Sequence, residues 1–354
     1  MKNQSATQFR TAISKQLDTI KGFGLNTVVL QVRPFGDAIY KSSYFPASYL
    51  YTGTQGSVGA VPYDALEIAI DEAKKRNLRI EAWINPYRVT KDNTMKISAD
   101  NPATAMLASG DAVNYSGKIT YNPASTVAQD LIVSGVYEIV KNYNVDAIHF
   151  DDYFYPTTDA DFDKVQYQRY KNAGGKLTLA QWRRQNVTDL VKRVYDTIKG
   201  VNKNILFGIS PQGNNDNNLN GQYVDVAQLM KLGVIDYLCP QMYFGFQNQI
   251  CPYSETLAEF NKLAKNTGVK LYTGLATYKC GTEDTWAGAG KNEGIGTTDL
   301  VARQVNNARG LSEYGGFVLF RYDSTFNYNS FYGAGTKAAA QAATELESLK
   351  AILD

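Results

Sequence analysis

A chain of 354 residues with 44% hydrophobic side chains can build a large core and has the length of one α/β barrel. Its 36 basic and 34 acidic residues leave a net charge of +2 with no long run of one sign, which argues against nucleic acid or an anionic membrane as partner. No apolar run approaches the ~20 residues of a membrane span, the single histidine (His149) excludes a multi-histidine metal site, and Cys239, Cys251 and Cys280 lack metal-ligand spacing, so no histidine- or cysteine-bound metal is expected; no cofactor is expected either.

In chain order, residues 6–22 read as a helix, with Phe9, Ile13, Leu17 and Ile20 on one stripe. A strand follows over 26–33, then a helix over 63–76 and a strand over 79–85. A long polar segment, 86–123, precedes a helix over 125–142, which leads into an apolar strand from Val145 to Phe150. Helices over 180–199, 224–232, 256–266 and 298–311 each precede a strand, at 205–210, 235–242, 270–276 and 316–321. An Ala-rich helix from about 335 to 352 closes the chain. Seven strands alternating with helices predict a parallel sheet with helices outside. Polar residues recur at period two near the strand ends: Gln31 and Arg33, Glu81 and Asn85, His149 and Asp151, Gln241 and Tyr243, Arg321 and Asp323. Connections after strands are long and those before strands short, the asymmetry of (β/α)8 enzymes with their sites at strand C-termini. The expectation is one TIM-like (β/α)8 domain over residues 1–354 lacking its first strand. It is either open between strands 26–33 and 316–321 or closed by an element that the pattern hides. Cys251 and Cys280 fall in the loops after adjacent strands and are expected to pair if the protein is exported.

The stretch Val145–Pro156 begins as a strand and ends in Asp151-Asp152-Tyr153-Phe154-Tyr155-Pro156. Two carboxylates among aromatics at a strand end suit chemistry better than a core. Other strands end in Arg33-Pro34 followed by Asp37, in Trp83-Ile84-Asn85-Pro86-Tyr87-Arg88, in Ser210-Pro211-Gln212 and in Gln241-Met242-Tyr243; Tyr121-Asn122-Pro123 precedes a helix. Singly each is a turn or cap. Together they outline a site of carboxylates, amides and aromatic planes that suits hydroxyl-rich substrates. Phosphate-loop, dinucleotide and nucleophile-elbow motifs are absent. Oxygen ligation of a metal by Asp37, Asp151 and Asp152 remains an alternative.

The runs Leu25–Pro34 with Gly36–Tyr40, Ala82–Arg88, Asp151–Pro156, Gly208–Pro211 and Pro240–Tyr243 resemble the bacterial glycosyl hydrolase-like 10 family over about residues 6–325. The resemblance implies a TIM-like barrel in a secreted or cell-envelope protein and glycoside hydrolysis, with peptidoglycan glycan strands as a substrate. Two positions depart from it: the family's opening Gly-Val-Trp strand is absent, and Glu81 stands where His is usual. On this reading Asp151 and Asp152 are the acid and the nucleophile or base, with Asp37 in reserve and Glu81 as a further carboxylate. Arg33 would keep one acid ionised. Trp83, Asn85, Tyr87, Arg88, Asn122, His149, Tyr153, Gln241 and Tyr243 would bind an oligo- or polysaccharide. A substrate-assisted mechanism stays open. The rival readings are a non-catalytic glycan-binding barrel and a metal-dependent carbohydrate hydrolase. A monomer is expected. Met1–Ser5 lack a signal-peptide core, so this chain is expected to be either cytoplasmic or an exported protein shown without its export signal.

Overall fold

In the computed structural model, which describes residues 1–353, the chain divides into two units. The first comprises Met1–Lys21, Leu25–Gly208 and Asp216–Leu229; the second comprises Gly22–Gly24, Ile209–Asn215 and the chain from Met230 onward.

The first unit is built on strands β1 (Thr27–Arg33), β2 (Arg79–Ile84), β3 (Ala112–Tyr115), β4 (Lys118–Tyr121), β5 (Ala147–Phe150) and β6 (Leu206–Ile209, whose last residue belongs to the second unit). Its helices are α1 (Ala6–Phe23), α2 (Ala65–Lys74), α3 (Pro102–Ser109), α4 (Thr126–Asn142), α5 (Lys164–Asn172), α6 (Leu179–Val201) and the start of α7 (Val226–Leu232). β1 pairs with β2 and β2 with β5, both parallel, with Gln31 opposite Trp83 and Trp83 opposite His149. Asp146 locks the next step, its side chain accepting the Ile80 N–H at 2.8 Å and its carbonyl the Leu206 N–H at 3.0 Å. Every residue of β5 is buried, which is why Ala147-Ile148-His149-Phe150 reads as a continuous run rather than an alternation. β2 alternates: Ile80, Ala82 and Ile84 are buried, while Glu81 and Trp83 on the other face are half-buried. The stripe expected on α1 is buried as expected. Side-chain caps start the helices that lead into the sheet: Asp64 accepts the Glu67 N–H, and Ser125 the Ala128 N–H.

The second unit carries β7 (Tyr237–Leu238), β8 (Lys270–Ala276) and β9 (Tyr314–Phe320), again parallel in the order of the chain. Around them stand α8 (Tyr253–Ala264), α9 (Glu293–Gly296), α10 (Leu300–Arg309), α11 (Tyr322–Phe326), α12 (Tyr328–Tyr332) and α13 (Lys337–Lys350). The strand expected over 235–242 stops at Leu238 because Pro240 has no N–H to give the ladder. Beyond the proline only isolated bridges persist, Gln241 to Gly274 and to Gln212.

All seven expected strands are present, four in the first unit and three in the second. Among the described residues there is no eighth of the parallel kind. β1 and β9 each have a single strand neighbour and are half-exposed along most of their length, as edge strands are. Three expectations need correction. The segment 86–123 is not featureless: it contains α3 and an antiparallel hairpin of β3 and β4, turned at Ser116 (φ 50°) and Gly117 (φ 77°). Residues 164–172 form α5 within what reads as loop. No disulfide joins Cys251 to Cys280; all three cysteines are thiols. Cys280 is buried beside Thr277, Ser324 and Glu345 beneath α13, whereas the Cys251 N–H is held by the Asn248 side chain.

Candidate active site

The chemistry-bearing groups of the first unit gather where β2 and β5 end. Asp151 follows β5 directly and is held there by its N–H to the Ile84 carbonyl. Its Oδ1 accepts the Asp152 N–H at 2.8 Å. Only 8% of Asp151 is exposed, whereas Asp152 is half-buried. Burial, and next the negative charge of Asp152, push the Asp151 carboxyl well above the ordinary aspartate range; a hydrogen bond between the two side chains adds to the rise. The cation that partly opposes it is Arg88. Arg88 reaches from the loop after β2 and lies against two rings, its guanidinium carbon 4.3 Å from the Tyr153 centroid and 4.8 Å from that of Phe35. Tyr153 is 42% exposed. On the half-buried face below, His149 Nδ1 lies 3.8 Å from Glu81 Oε2 and its ring meets Trp83 edge-on. Glu81 thereby lies beside the His149 ring.

Arg33 and Asp37 follow β1, where the Arg33 carbonyl receives the Asn85 N–H at the end of β2, and the assignments made for them change. Both are essentially inaccessible, at 1% and 0% exposure. Asp37 Oδ2 accepts the Tyr49 N–H and the Gln55 amide, each at 3.1 Å, and Gln55 in turn takes the Asn101 amide. Burial lifts the Asp37 carboxyl to about 6, against these hydrogen bonds and the Arg33 charge. A carboxylate sealed under its own loop does not meet substrate, so Asp37 is a structural acid. Gly36 beside it is needed for close approach: a Cβ there would stand 2.9 Å from Val89. Arg33 donates to the Pro86 carbonyl and lies over Phe45 at 4.6 Å.

Three further residues expected to bind substrate belong to the scaffold. Asn85 is fully buried, its Oδ1 taking the Trp83 indole N–H at 2.8 Å and its amide bonding the Pro34 carbonyl at 3.0 Å. Asn122, also buried, accepts the Ala124 N–H and donates to the Gly110 carbonyl. Tyr87 has no exposed surface, and its carbonyl receives the Tyr121 N–H. Asp151, Asp152, Tyr153, Arg88, Trp83 and His149 therefore remain as the accessible or acid-bearing group. Asp37 does not gather with the carboxyl pair into a metal-ligand set among the described residues.

A second buried group secures the loop behind Asp152. Arg183 of α6 and Asp163 are both fully buried and paired at 2.6 Å. Arg183 also donates to the Asp159 carbonyl at 2.6 Å and the Tyr223 hydroxyl at 3.2 Å, and lies over the ring of Tyr155, 5.3 Å from its centroid. The Tyr155 hydroxyl accepts the Asn186 amide. Sequence reasoning missed this anchor. An arginine on a polar helix reads as surface, and only its pairing with an acid 20 residues earlier reveals it.

In the second unit, Gln241 donates to the Ser210 carbonyl at 3.2 Å. Tyr243 stacks on Phe320, with centroids 5.6 Å apart, and meets Tyr278 edge-on. The charges nearby are matched: Lys279 Nζ lies 2.7 Å from both the Asp284 carboxylate and the Tyr243 carbonyl, and Glu293 accepts the Gln247 N–H.

Comparison with known proteins adds three findings. The family described as Glycosyl hydrolase-like 10 matches residues 2–287. The glycosyl hydrolase YngK of Bacillus subtilis (strain 168) is 37% identical over 299 residues, covering 78% of this chain and 58% of that protein. The glycosyl hydrolase DigH of Escherichia coli (strain K12) is 33% identical over 341 residues, covering 88% of this chain and 75% of that one. This chain thus spans less than two thirds of YngK. Among solved structures, the PgaB (BpsB) glycoside hydrolase domain from Bordetella bronchiseptica superposes with a TM-score of 0.57 at 14% identity, over 96% of this chain and 94% of that one. At that identity the likeness gives the fold, the parallel α/β architecture of TIM-barrel glycoside hydrolases.

Proposed function

This chain belongs to the glycosyl hydrolase-like 10 family, and from that premise we propose that it hydrolyses O-glycosidic bonds of a polysaccharide with the Asp151–Asp152 pair as its acid. The observation that carries the reading is the burial of Asp151 at a strand end, its Oδ1 accepting the N–H of a more exposed Asp152, surroundings that push its carboxyl well above the ordinary aspartate range. A general acid needs a carboxyl that keeps its proton near working pH, and burial beside a like charge supplies one.

The same geometry argues against the first division of labour, one aspartate as acid and the other as nucleophile. Two-carboxylate glycosidases place their groups roughly 5–9.5 Å apart, on opposite sides of the scissile bond. Asp151 and Asp152 are consecutive in the chain and Asp151 Oδ1 accepts the Asp152 N–H, an arrangement that suits two groups acting from one side of that bond. The pair fits a substrate-assisted route on an N-acetylhexosamine. The acetamido oxygen attacks the anomeric carbon as the bond to the leaving oxygen breaks, and the Asp151 proton goes to that oxygen. Water then opens the cyclic intermediate and returns a proton to Asp151. Asp152 sets its negative charge against the positive charge developing on the sugar. Tyr153 and Trp83 offer aromatic surface to sugar faces.

The substrate read from this chemistry is a bacterial glycan containing N-acetylhexosamine, peptidoglycan strands first among them, and the place of action is the cell envelope or beyond it. The test is reducing-end release from denuded peptidoglycan and from chitin-type oligosaccharides. Release by the parent chain supports the reading. Binding of strands with no release would make the protein a glycan-binding module.

A further inference from the structure

The loop after β1 buries more polar atoms than its own hydrogen bonds satisfy. Arg33 is 1% exposed, and Asp37, Tyr40 and Tyr121 have no exposed surface. Arg33 Nη1, Asp37 Oδ1 and the two phenol oxygens all lack a hydrogen-bond partner. Ser48 stands beside Asp37 and Ser42 beside Tyr40, so the clearest orphans are Arg33 Nη1 and the Tyr121 hydroxyl. These groups are neighbours. Tyr121, Tyr40 and Asp37 all act on Arg33, and Tyr121 in turn feels Arg33 and Asp37. The Tyr121 hydroxyl reaches the turn itself, 3.3 Å from where a Cβ on Gly36 would stand. Polar atoms out of hydrogen-bond contact but within reach of one another's charge have the separation that a bridging ligand spans.

Charge and room define that ligand. Arg33 enters no ion pair among the described residues; its Nη2 goes to the Pro86 carbonyl at 3.2 Å, and its guanidinium lies over Phe45. Burial pushes the guanidinium below its ordinary value, against the opposing pull of Asp37. A water would satisfy the orphaned N–H and leave the buried charge without a counter-ion. Burial also pushes both phenols far above their ordinary range, so each keeps its proton to donate. The turn is crowded, since a Cβ on Gly36 would stand 2.9 Å from Val89, which favours a single atom over a carboxylate or phosphate. We propose that Arg33 Nη1 and the hydroxyls of Tyr121 and Tyr40 hold a small monovalent anion of the halide class. Held there, the anion ties the end of β1, its loop and the end of β4 together.

The site does not involve the acid pair, and its test does not depend on turnover. The full chain is unfolded thermally at about pH 5, below the value of about 6 for Asp37, so that this carboxylate does not compete. Sodium chloride, bromide and gluconate are compared at equal ionic strength, gluconate being too large for the site. Chloride and bromide should each raise the midpoint over gluconate, by about 3–5 °C once halide exceeds its Kd about a hundredfold. The rise should vanish in Arg33→Met, shrink in Tyr121→Phe and persist in Tyr87→Phe, which alters another buried, unpartnered phenol that is not among those acting on Arg33. If Arg33→Met does not fold, Tyr121→Phe against Tyr87→Phe carries the comparison. A crystal grown with bromide should show anomalous density beside Arg33 Nη1. Equal midpoints in the three salts would overturn the proposal, as would a halide rise that survives unchanged in Tyr121→Phe. Density at that place without anomalous signal would make the ligand water and overturn it too.

Discussion

The two units use the same residue vocabulary at their strand ends and do different things with it. Where β2 and β5 end, a buried acid sits beside a like charge that helps push its carboxyl well above the ordinary range, with an arginine against the ring of Tyr153 nearby. Past the end of β7, the charges are neutralised in place: Lys279 is closed against Asp284 and the Tyr243 carbonyl, and Tyr243 is packed on Phe320. Polar and aromatic composition alone therefore does not mark a catalytic centre. What marks it is charge left unbalanced in a buried place, which costs stability and is kept where chemistry uses it.

The sharpest way to break this contrast is to neutralise an acid in each region. Asp151→Asn should fold like the parent and lower turnover by about three orders of magnitude or more, because it removes a proton donated in the transition state. Asp152→Asn should fall less steeply. Asp284→Asn should instead lower the unfolding free energy by about 1–3 kcal/mol, through the loss of a charge-assisted bond, and leave the pH dependence of turnover in place. Reducing-end assays paired with chemical denaturation separate the two outcomes.

The anchor behind the site comes next in size. Arg183→Met leaves Asp163 charged in a fully buried position and should cost about 3–5 kcal/mol in urea unfolding. Replacing both partners, Arg183→Met with Asp163→Leu, should recover much of that loss, since the penalty lies mainly in the orphaned charge.

Asp37 gives an effect of about 3 kcal/mol with a defined sign. Its folded pKa, about 6, stands above its unfolded value of 3.8. Its contribution to stability is therefore fully present below about pH 3.8 and is lost as pH rises through 6. Unfolding of the parent and of Asp37→Asn at pH 3 and pH 8 should show the difference between them shifting by about that amount in favour of the variant at the higher pH.

The sequence was most legible where one physical rule dominates. Residues 270–276 match β8, and 79–85 overshoots β2 by one residue, because apolar runs between short polar turns leave little choice. Residues 235–242 overshoot β7 because the apolar pattern hid what Pro240 does to the ladder. The β3–β4 hairpin was missed because its register depends on the left-handed Ser116-Gly117 turn, and the two strands offer only four residues each. Within the site, adjacency alone identified Asp151 and Asp152 as unusual. It did not reveal which is buried, nor that Arg88 is a cation acting on Asp151. Asn85, Tyr87 and Asn122 have the residue types of sugar ligands, yet their burial ties them to the scaffold. Composition cannot distinguish an amide that faces a pocket from one that closes a loop.

The central claim is that Asp151 works as an acid whose proton is held by burial and by Asp152. The most direct test is the pH dependence of kcat/KM for the parent chain on denuded glycan strands. The account predicts that activity persists through the ordinary aspartate range and falls, as pH rises further, on a single ionisation well above 3.8. An activity already lost through the ordinary aspartate range, or one that shows no alkaline limb, would contradict it.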